Sequence, residues 1–136
     1  MCFHIHKNHR LPKTATRDIT CYKVMLQKRN GKVFSFVTDF EYVCDRKYET
    51  EMRVVTGTGY NYGEIENGFH SFMYPWYKLR NKYVYARRVT GEATLVKCVI
   101  PKGSIYYKNP YDGEFVSNSI IVKELDALKN WRWLFS

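Results

Sequence analysis

The sequence predicts a single β-rich domain of the α+β class, built on one twisted, mostly antiparallel sheet with one or two short helices. Short runs rich in Val, Ile, Tyr and Phe recur between Gly, Asn, Asp and Pro residues, which is typical of strands separated by turns. Helical periodicity is confined to two short segments. With 136 residues, 45% hydrophobic and 26% charged, the chain can bury one core. We therefore expect residues 1–136 to form one domain.

The β-rich runs predict seven strands, at about 18–27, 32–38, 51–56, 83–89, 94–101, 104–108 and 114–124. RNGK at 29–32 joins the first two, and its Asn-Gly pair supplies the positive φ angles of a two-residue type I′ turn. This pattern predicts a hairpin. GTGYNYGE at 57–64 predicts a loop, and NPYDG at 109–113 predicts a second turn.

Two segments predict helices. Pro75 suits a first helical position, and Trp76, Leu79 and Tyr83 follow at helical spacing, which predicts a short helix over 75–82. Near the C-terminus, KELDALKNWRWLF spaces its apolar residues as a loosely amphipathic helix would. We expect that segment to pack on the sheet as a structural element.

The sequence excludes several classes of protein. No apolar run approaches the roughly 20 residues of a membrane-spanning helix, and the N-terminal residues lack the apolar segment of a signal peptide. We therefore expect a cytoplasmic protein with no membrane association. The four cysteines are widely spaced without a CxxC pair, so we expect free thiols, with Cys98 in a core strand.

Positive charge is concentrated in two blocks of the chain. Residues 1–33 carry a net charge of +7, 34–66 of −4, 67–110 of +7 and 111–136 of −1. Such segregation favours an anionic partner, although solvated basic faces are also common in proteins without one. The sequence does not tell whether the two blocks lie on one face of the fold.

Aromatic and basic residues interleave within the second block. Residues 69–88 and 101–111 hold ten of the 23 aromatic residues and seven of the 22 cations. Aromatic rings stack on bases while Lys and Arg bind phosphate, and each stacked base contributes about 1–3 kcal/mol. The alternative is an ordinary β-core with lysines facing solvent. The candidate ligand-binding residues are His70, Tyr74, Trp76, Lys78, Arg80, Arg87, Arg88, Lys102, Tyr106, Tyr107 and Lys108.

His70 raises the question of catalysis. A close backbone approach at Gly68 is expected to fix the imidazole. Catalysis would require Glu66 or Glu114 as its acid–base partner. We expect no strong carboxylate partner and find no nucleophile motif, so the ring should donate or accept a hydrogen bond without transferring a proton.

Metal and cofactor sites find little support in the sequence. Cys2, His4 and His6 would share one face of an extended strand and could hold a metal. No second cluster follows at the spacing of a zinc motif, and the glycine loop at 57–64 lacks the lysine of a phosphate-binding loop. We predict no metal and no cofactor.

The order of several motifs resembles a known group. DITCYKV, NGFHSF, VKCVIPKGSIYY and EFVSNSIIV together are similar to small uncharacterised proteins of gut Bacteroidetes and their phages, over about residues 1–125. A more distant resemblance is to ADP-ribosyltransferase-like folds, which build a nicotinamide-nucleotide cleft. In that comparison CYKV stands where the family has an arginine-bearing strand, and Glu114 is the one glutamate of EFVSN. The resemblance implies a phage context and a nucleotide ligand.

These observations together predict a non-catalytic protein that binds a nucleotide-like phosphorylated ligand, in the anti-defence role of a phage protein that sequesters a host immune signalling nucleotide. One alternative is a module that binds single-stranded nucleic acid. Another is a nucleotide-modifying enzyme of the ADP-ribosyltransferase-like type. Assembly into a homo-oligomer is compatible with the sequence.

Overall fold

The structure is a computed structural model that describes residues 3–4, 11–27, 32–35, 40–55, 64–73, 93–109 and 113–124. Within these ranges the chain forms thirteen strands and no helix. The strands are β1 (Phe3–His4), β2 (Lys13–Thr14), β3 (Ile19–Gln27), β4 (Val33–Ser35), β5 (Glu41–Tyr42), β6 (Lys47–Glu49), β7 (Arg53–Val55), β8 (Glu64–Glu66), β9 (Phe69–Phe72), β10 (Ala93–Ile100), β11 (Ile105–Lys108), β12 (Glu114–Ser117) and β13 (Ser119–Glu124).

The predicted β-rich, antiparallel architecture is confirmed, but the described strands form two sheets, of ten and three strands, where the sequence predicted one. The predicted strands at 18–27, 94–101 and 104–108 correspond to β3, β10 and β11, with bounds that agree within one residue. The predicted helix over 75–82, the C-terminal helical segment and the predicted strand at 83–89 lie outside the described residues. No helix in the described ranges has the length and apolar character needed to cross a membrane.

The main sheet closes on itself because one bent strand takes part in it twice. Its order is β2-β11-β12-β9-β3-β10-β13-β6, and Asn118 alone separates β12 from β13 in the chain. Since β12 pairs with β9 and β13 pairs with β10, the strands from β12 to β13 form a closed ring. The sequence predicted one strand over 114–124, and its division at Asn118 into β12 and β13 corrects that prediction.

Hydrogen bonds at Asn118 hold the bend. Its side-chain Oδ1 accepts from the Ile105 N–H at 2.9 Å, and its own N–H donates to the Ile105 carbonyl at 3.0 Å. Its carbonyl accepts from the Thr50 N–H at 2.9 Å, next to β6. Asn118 thus provides hydrogen-bond partners for backbone groups that would otherwise be unpaired where β12 ends and β13 begins.

Alternate residues of the ring strands point into it. On β3 these are Ile19, Cys21, Lys23 and Met25, and Cys98 of β10 lies opposite Cys21. The apolar interior is formed by Cys21, Met25, Val33, Tyr42, Val96, Cys98, Ile100, Phe115, Ile120 and Val122. The alternation that predicted β3 therefore also defines the core.

A second cluster covers the opposite side of β12. Val116 and Tyr107 pack there with Ile65 of β8, and Met52 borders them. Ile65 belongs to a separate three-stranded sheet of order β1-β8-β7. Both sides of β12 are therefore buried, which explains the run of apolar residues in EFVS.

The β3–β4 hairpin forms with a register that differs from the prediction. Gln27 lies opposite Val33 and Leu26 opposite Phe34. A two-residue turn at Asn30 and Gly31 would place Gln27 opposite Phe34. The hairpin is confirmed and its register is wrong by one residue, because an odd number of residues lies between the last paired positions.

The predicted turn at 109–113 links β11 and β12. The Asn109 N–H donates to the Glu114 carbonyl at 2.8 Å and the Gly113 N–H donates to the Asn109 carbonyl at 2.9 Å. Gly113 has φ of +70°, a conformation that glycine adopts without strain. The residues that bound the predicted turn therefore confirm that the chain reverses direction between β11 and β12, which form a hairpin.

Candidate functional site

The strands β9, β12 and β11 present different residues on their two faces. On what we call the outer face, His70, Val116 and Tyr107 lie opposite one another in a row. On the inner face, which continues the interior of the ring, the next row contains Ser71, Phe115 and Lys108. Each predicted site residue on these strands therefore belongs to one face or the other.

His70 and Glu114 form a pair on the outer face. Nδ1 of His70 lies 2.9 Å from Oε1 of Glu114, although 44 residues separate them in the chain. An ionised carboxylate only accepts hydrogen bonds, so Nδ1–H donates and Nε2 is the ring nitrogen directed to any further partner. The two side chains are 25% and 12% exposed. The pair is thus shielded from bulk water but accessible to a ligand.

The expectation that His70 has no strong carboxylate partner is wrong. Glu66, the nearer acid in sequence, instead pairs with Arg53, with 3.2 Å between Nη2 and Oε2. Glu114 reaches His70 because β12 lies beside β9, with Glu114 opposite Phe72. A carboxylate that orients an imidazole occurs in general-base sites as well as in structural pairs.

Gly68 explains why His70 is held in place. A methyl group at Gly68 would collide with Cγ2 of Val116 and lie 3.3 Å from Sδ of Met52. The backbone before β9 therefore packs directly on the outer cluster, and the predicted close approach at Gly68 is confirmed. The following residues are fixed as a strand, with His70 opposite Val116.

Lys23 connects the ring interior to His70. Its ammonium donates a hydrogen bond to the His70 backbone carbonyl. Among the described residues, β3 and β9 are bridged at one pair, Tyr22 and Phe72, so this side chain links the two strands where their pairing ends. The ammonium also lies 5.8 Å from the centre of the Tyr42 ring, within the range of a cation–π interaction.

Burial controls the charges inside the ring. Desolvation lowers the pKa of Lys23, and the nearby Cys98 and Cys21 thiols oppose that shift. Desolvation also raises the pKa of Cys21 to about 11, against smaller opposing effects of Ser71 and Lys23. The pKa of Cys98 is raised by burial and then by Cys21. Both thiols are therefore protonated at neutral pH.

The Ser71 hydroxyl is buried in the same region. It has no hydrogen-bond partner among the described residues, and its contact with the Cys21 thiol opposes the rise that burial causes in that thiol's pKa. We take the contact as a weak one, because sulfur is a poor hydrogen-bonding partner. The polar groups inside the ring are thus incompletely paired.

A basic surface forms where the two positive blocks of the sequence meet. β2 is an edge strand that pairs with β11, and Lys13 lies opposite Tyr106. Directly opposite residues share a face, and residues two apart on a strand do so too, so Lys13, Tyr106 and Lys108 lie together on the inner face. The Lys108 ammonium is 5.9 Å from the centre of the Phe115 ring. We call these three residues the Tyr106 surface.

The loop ends beside the Tyr106 surface carry further charge. Ala15 and Ser104 are joined by an N–H to carbonyl bond of 2.8 Å, and the Lys102 N–H donates to Oδ1 of Asp18 at 2.8 Å. Arg17 and Lys102, both exposed, therefore come from segments that lie side by side. One cation of each block is added to the same edge of the sheet.

The structure divides the predicted ligand-binding residues. Lys102, Tyr106 and Lys108 lie at or near the Tyr106 surface, whereas His70 and the buried Tyr107 lie on the outer face. The six remaining predicted residues lie outside the described part of the chain: Tyr74, Trp76, Lys78, Arg80, Arg87 and Arg88.

Two lysines at these sites were missed from the sequence. Lys23 had a local signal, because it occupies an inward position in the alternating run ITCYKVMLQ. Lys13 had none, since its role depends on the pairing of β2 with β11. Within the described residues, no three His, Cys, Asp or Glu side chains are close enough to hold a metal ion.

Comparisons with known proteins do not add a family. No protein-family model matches the chain, and no curated protein or solved structure is significantly similar to it. The function is therefore inferred from the residues of the two faces.

Proposed function

We propose that the protein binds a nucleotide-like phosphorylated ligand at the Tyr106 surface and does not convert it. The observation that carries the proposal is the pairing of β2 with β11, which places Lys13 of the first basic block beside Tyr106 and Lys108 of the second. An aromatic ring that shares one face of the sheet with two lysines suits a planar, anionic molecule. Stacking and phosphate contacts would act together there.

The geometry of Tyr106 supports a binding role over a purely structural one. The ring is partly buried and packs on Phe115 in a T-shaped contact, with 5.8 Å between ring centres. Packing fixes the ring without burying it fully, so little conformational entropy is lost when a ligand binds. Lys13 is exposed on the edge strand and can approach a phosphate without breaking a described ion pair.

A phage context supports sequestration as the purpose of binding. Tight binding without turnover removes a host signalling nucleotide from its receptor in proportion to the amount of protein made. The resemblance to proteins of gut Bacteroidetes and their phages supports this role, and the charge distribution supports the ligand class.

Isothermal titration calorimetry with cyclic dinucleotides and ADP-ribose derivatives tests the proposal. We expect Lys13→Ala and Lys108→Ala each to weaken binding about tenfold, the effect of losing one charged contact of about 1.4 kcal/mol. Lys123→Ala is the matched control, because Lys123 is exposed and pairs with Asp45, with 3.2 Å between Nζ and Oδ1. No heat with any of these ligands, or an equal loss in the control, would contradict the proposal.

A single-stranded nucleic-acid module is the second candidate, favoured by the position of Lys13 on β2, the edge strand of the main sheet in the part of the chain that the structure describes. A sheet edge leaves room for a polynucleotide that extends beyond the three residues of the Tyr106 surface. In that case affinity should fall steeply as salt rises, because each phosphate contact releases counterions. A small nucleotide that makes two charged contacts should show a much shallower dependence.

The His70–Glu114 pair favours a nucleotide-modifying enzyme as the third candidate. Such an enzyme would change the chromatographic identity of a bound nucleotide. Recovery of the intact ligand after the complex is denatured supports binding alone, whereas a new product that disappears in His70→Ala would establish catalysis.

A further inference from the structure

Two cysteines face each other at the centre of the closed ring. Cys21 of β3 lies directly opposite Cys98 of β10, and both side chains are fully buried. The pairing of these strands runs without interruption from Ala93–Leu26 to Ile100–Ile19, so the two residues are held in register from both sides. Both are free thiols.

We propose that Cys21 and Cys98 are an oxidisable dithiol that closes to a disulfide when a hydroperoxide enters the ring. Directly opposite residues of antiparallel strands have Cα atoms about 4.5–5.5 Å apart. A disulfide requires a Cα separation of about 4.4–6.8 Å, so either kind of opposite pair satisfies it. Their side chains point to the same side of the sheet, as the bond also requires.

The oxidant class follows from the surroundings of the thiols. The dithiol lies among apolar side chains such as Val96 and Ile100, which exclude charged and bulky reagents. Hydrogen peroxide is uncharged and little larger than water. One thiol releases its proton, and the thiolate attacks one oxygen of the peroxide, breaks the O–O bond and becomes a sulfenic acid. The hydroxide that leaves takes up the released proton and becomes the first water molecule.

The second thiol completes the reaction. Its sulfur attacks the sulfenic sulfur, an S–S bond forms, and the S–OH group leaves as the second water molecule after it takes the proton of the attacking thiol. Overall, the dithiol loses two hydrogens and two electrons, and one peroxide is reduced to two waters. Burial raises the pKa of Cys21 to about 11, so its thiolate is a minor species at neutral pH. Lys23 lies two residues away on the same side, and its positive charge offsets part of that rise and favours the thiolate fraction that starts the reaction.

Cys44 is the rival partner. It is partly buried, packs against the same interior cluster and contributes to the raised pKa of Cys98. It lies in a turn after β5, however, where no strand pairing holds it opposite Cys98. The register therefore favours the Cys21–Cys98 link over the Cys44–Cys98 link.

Peptide mapping of the full chain tests the proposal. The folded protein is treated with hydrogen peroxide, the remaining peroxide is removed, and the protein is denatured, alkylated with N-ethylmaleimide and digested with trypsin without reductant. Cys21 is released in DITCYK and Cys98 in CVIPK. We expect these two peptides joined by a disulfide, with the mass of the pair less two hydrogens, and separate again after reduction.

The variants and a denatured sample decide the outcome. Cys44→Ser should still give the linked peptides and Cys21→Ser should not. Oxidation in urea should give a mixture of pairings, since the register is then lost. The proposal fails if the folded protein links Cys98 to Cys44, if both peptides stay alkylated while Cys44 is oxidised, or if the link forms as readily in urea as in the folded state.

Discussion

Substituting Gly68 by alanine tests the close packing that positions His70. The new methyl group would collide with Cγ2 of Val116, a side chain that is fully buried, and would approach Sδ of Met52 to 3.3 Å. Valine is branched at Cβ, which restricts its χ1 angle, and Val116 is packed on all sides, so it cannot turn away without cost. The backbone before β9 must then move, and His70 moves with it.

The expected magnitude follows from the crowding. Inserting one methyl group into a packed core costs about 1–3 kcal/mol. Val116→Ala alone removes two buried methyl groups and should cost about 2–3 kcal/mol. The double variant should cost less than the sum by about 1–3 kcal/mol, because the valine methyl that the alanine strikes is gone.

Urea denaturation of the parent, the two single variants and the double variant measures this coupling. Gly103→Ala is the control, because nothing lies within 4 Å of its added methyl group while its φ is +90°. Its cost of about 1–2 kcal/mol should come from backbone strain and should add to that of Val116→Ala. Additive costs for Gly68→Ala and Val116→Ala would refute the contact between them.

Three further predictions concern the polar groups. His70→Ala should lower the free energy of unfolding by about 1–3 kcal/mol by removing the hydrogen bond between Nδ1–H and the partly buried Glu114, and His70→Asn, whose amide can replace Nδ1–H, should recover part of it in thermal melts. Lys23→Met should raise the free energy of unfolding by about 1–3 kcal/mol at neutral pH, because a buried charge is replaced by an apolar chain. The lowered pKa of Lys23 means that its cost is present below the folded-state pKa and disappears as pH rises towards the ordinary value of 10.5, so the difference from the parent in urea titrations should narrow there. Ellman's reagent at mildly alkaline pH should modify Cys44 before Cys21 and Cys98, and equal rates would show that the ring opens readily.

The sequence predicted the strands whose own residues show alternation or a long apolar run. Alternation in ITCYKVMLQ and the apolar run LVKCVI were sufficient for β3 and β10, because each strand contains enough buried residues to define its faces. Some strands of two to four residues, such as β2 and β9, were not predicted, although the four-residue β11 was. A run that short carries too few residues for periodicity, and its pairing partners decide its structure.

The closure of the sheet could not be predicted from local pattern. EFVSNSIIVKE has the composition of one strand, and its division at Asn118 depends on Ile105, thirteen residues earlier, which exchanges two hydrogen bonds with it. Contacts of this kind depend on which strands pair and in which register, and a local sequence pattern does not specify either. The same limit hid the Glu114 partner of His70 until β12 was placed beside β9.

The two candidate groups of residues, which the sequence could not assign to different faces, lie on opposite faces of the sheet around β12. His70 and Glu114 lie on the outer face, whereas Lys13, Tyr106 and Lys108 lie on the inner face of the same group of strands. A compact nucleotide on the Tyr106 surface is thus separated from the imidazole by the thickness of a sheet. Acid–base chemistry and stacking would therefore need separate ligands, which makes the binding and catalytic interpretations independent and testable by different variants. The connection that remains is Lys23, which reaches from the ring interior to the His70 carbonyl, so a change in its charge state would act on β9 from inside the ring.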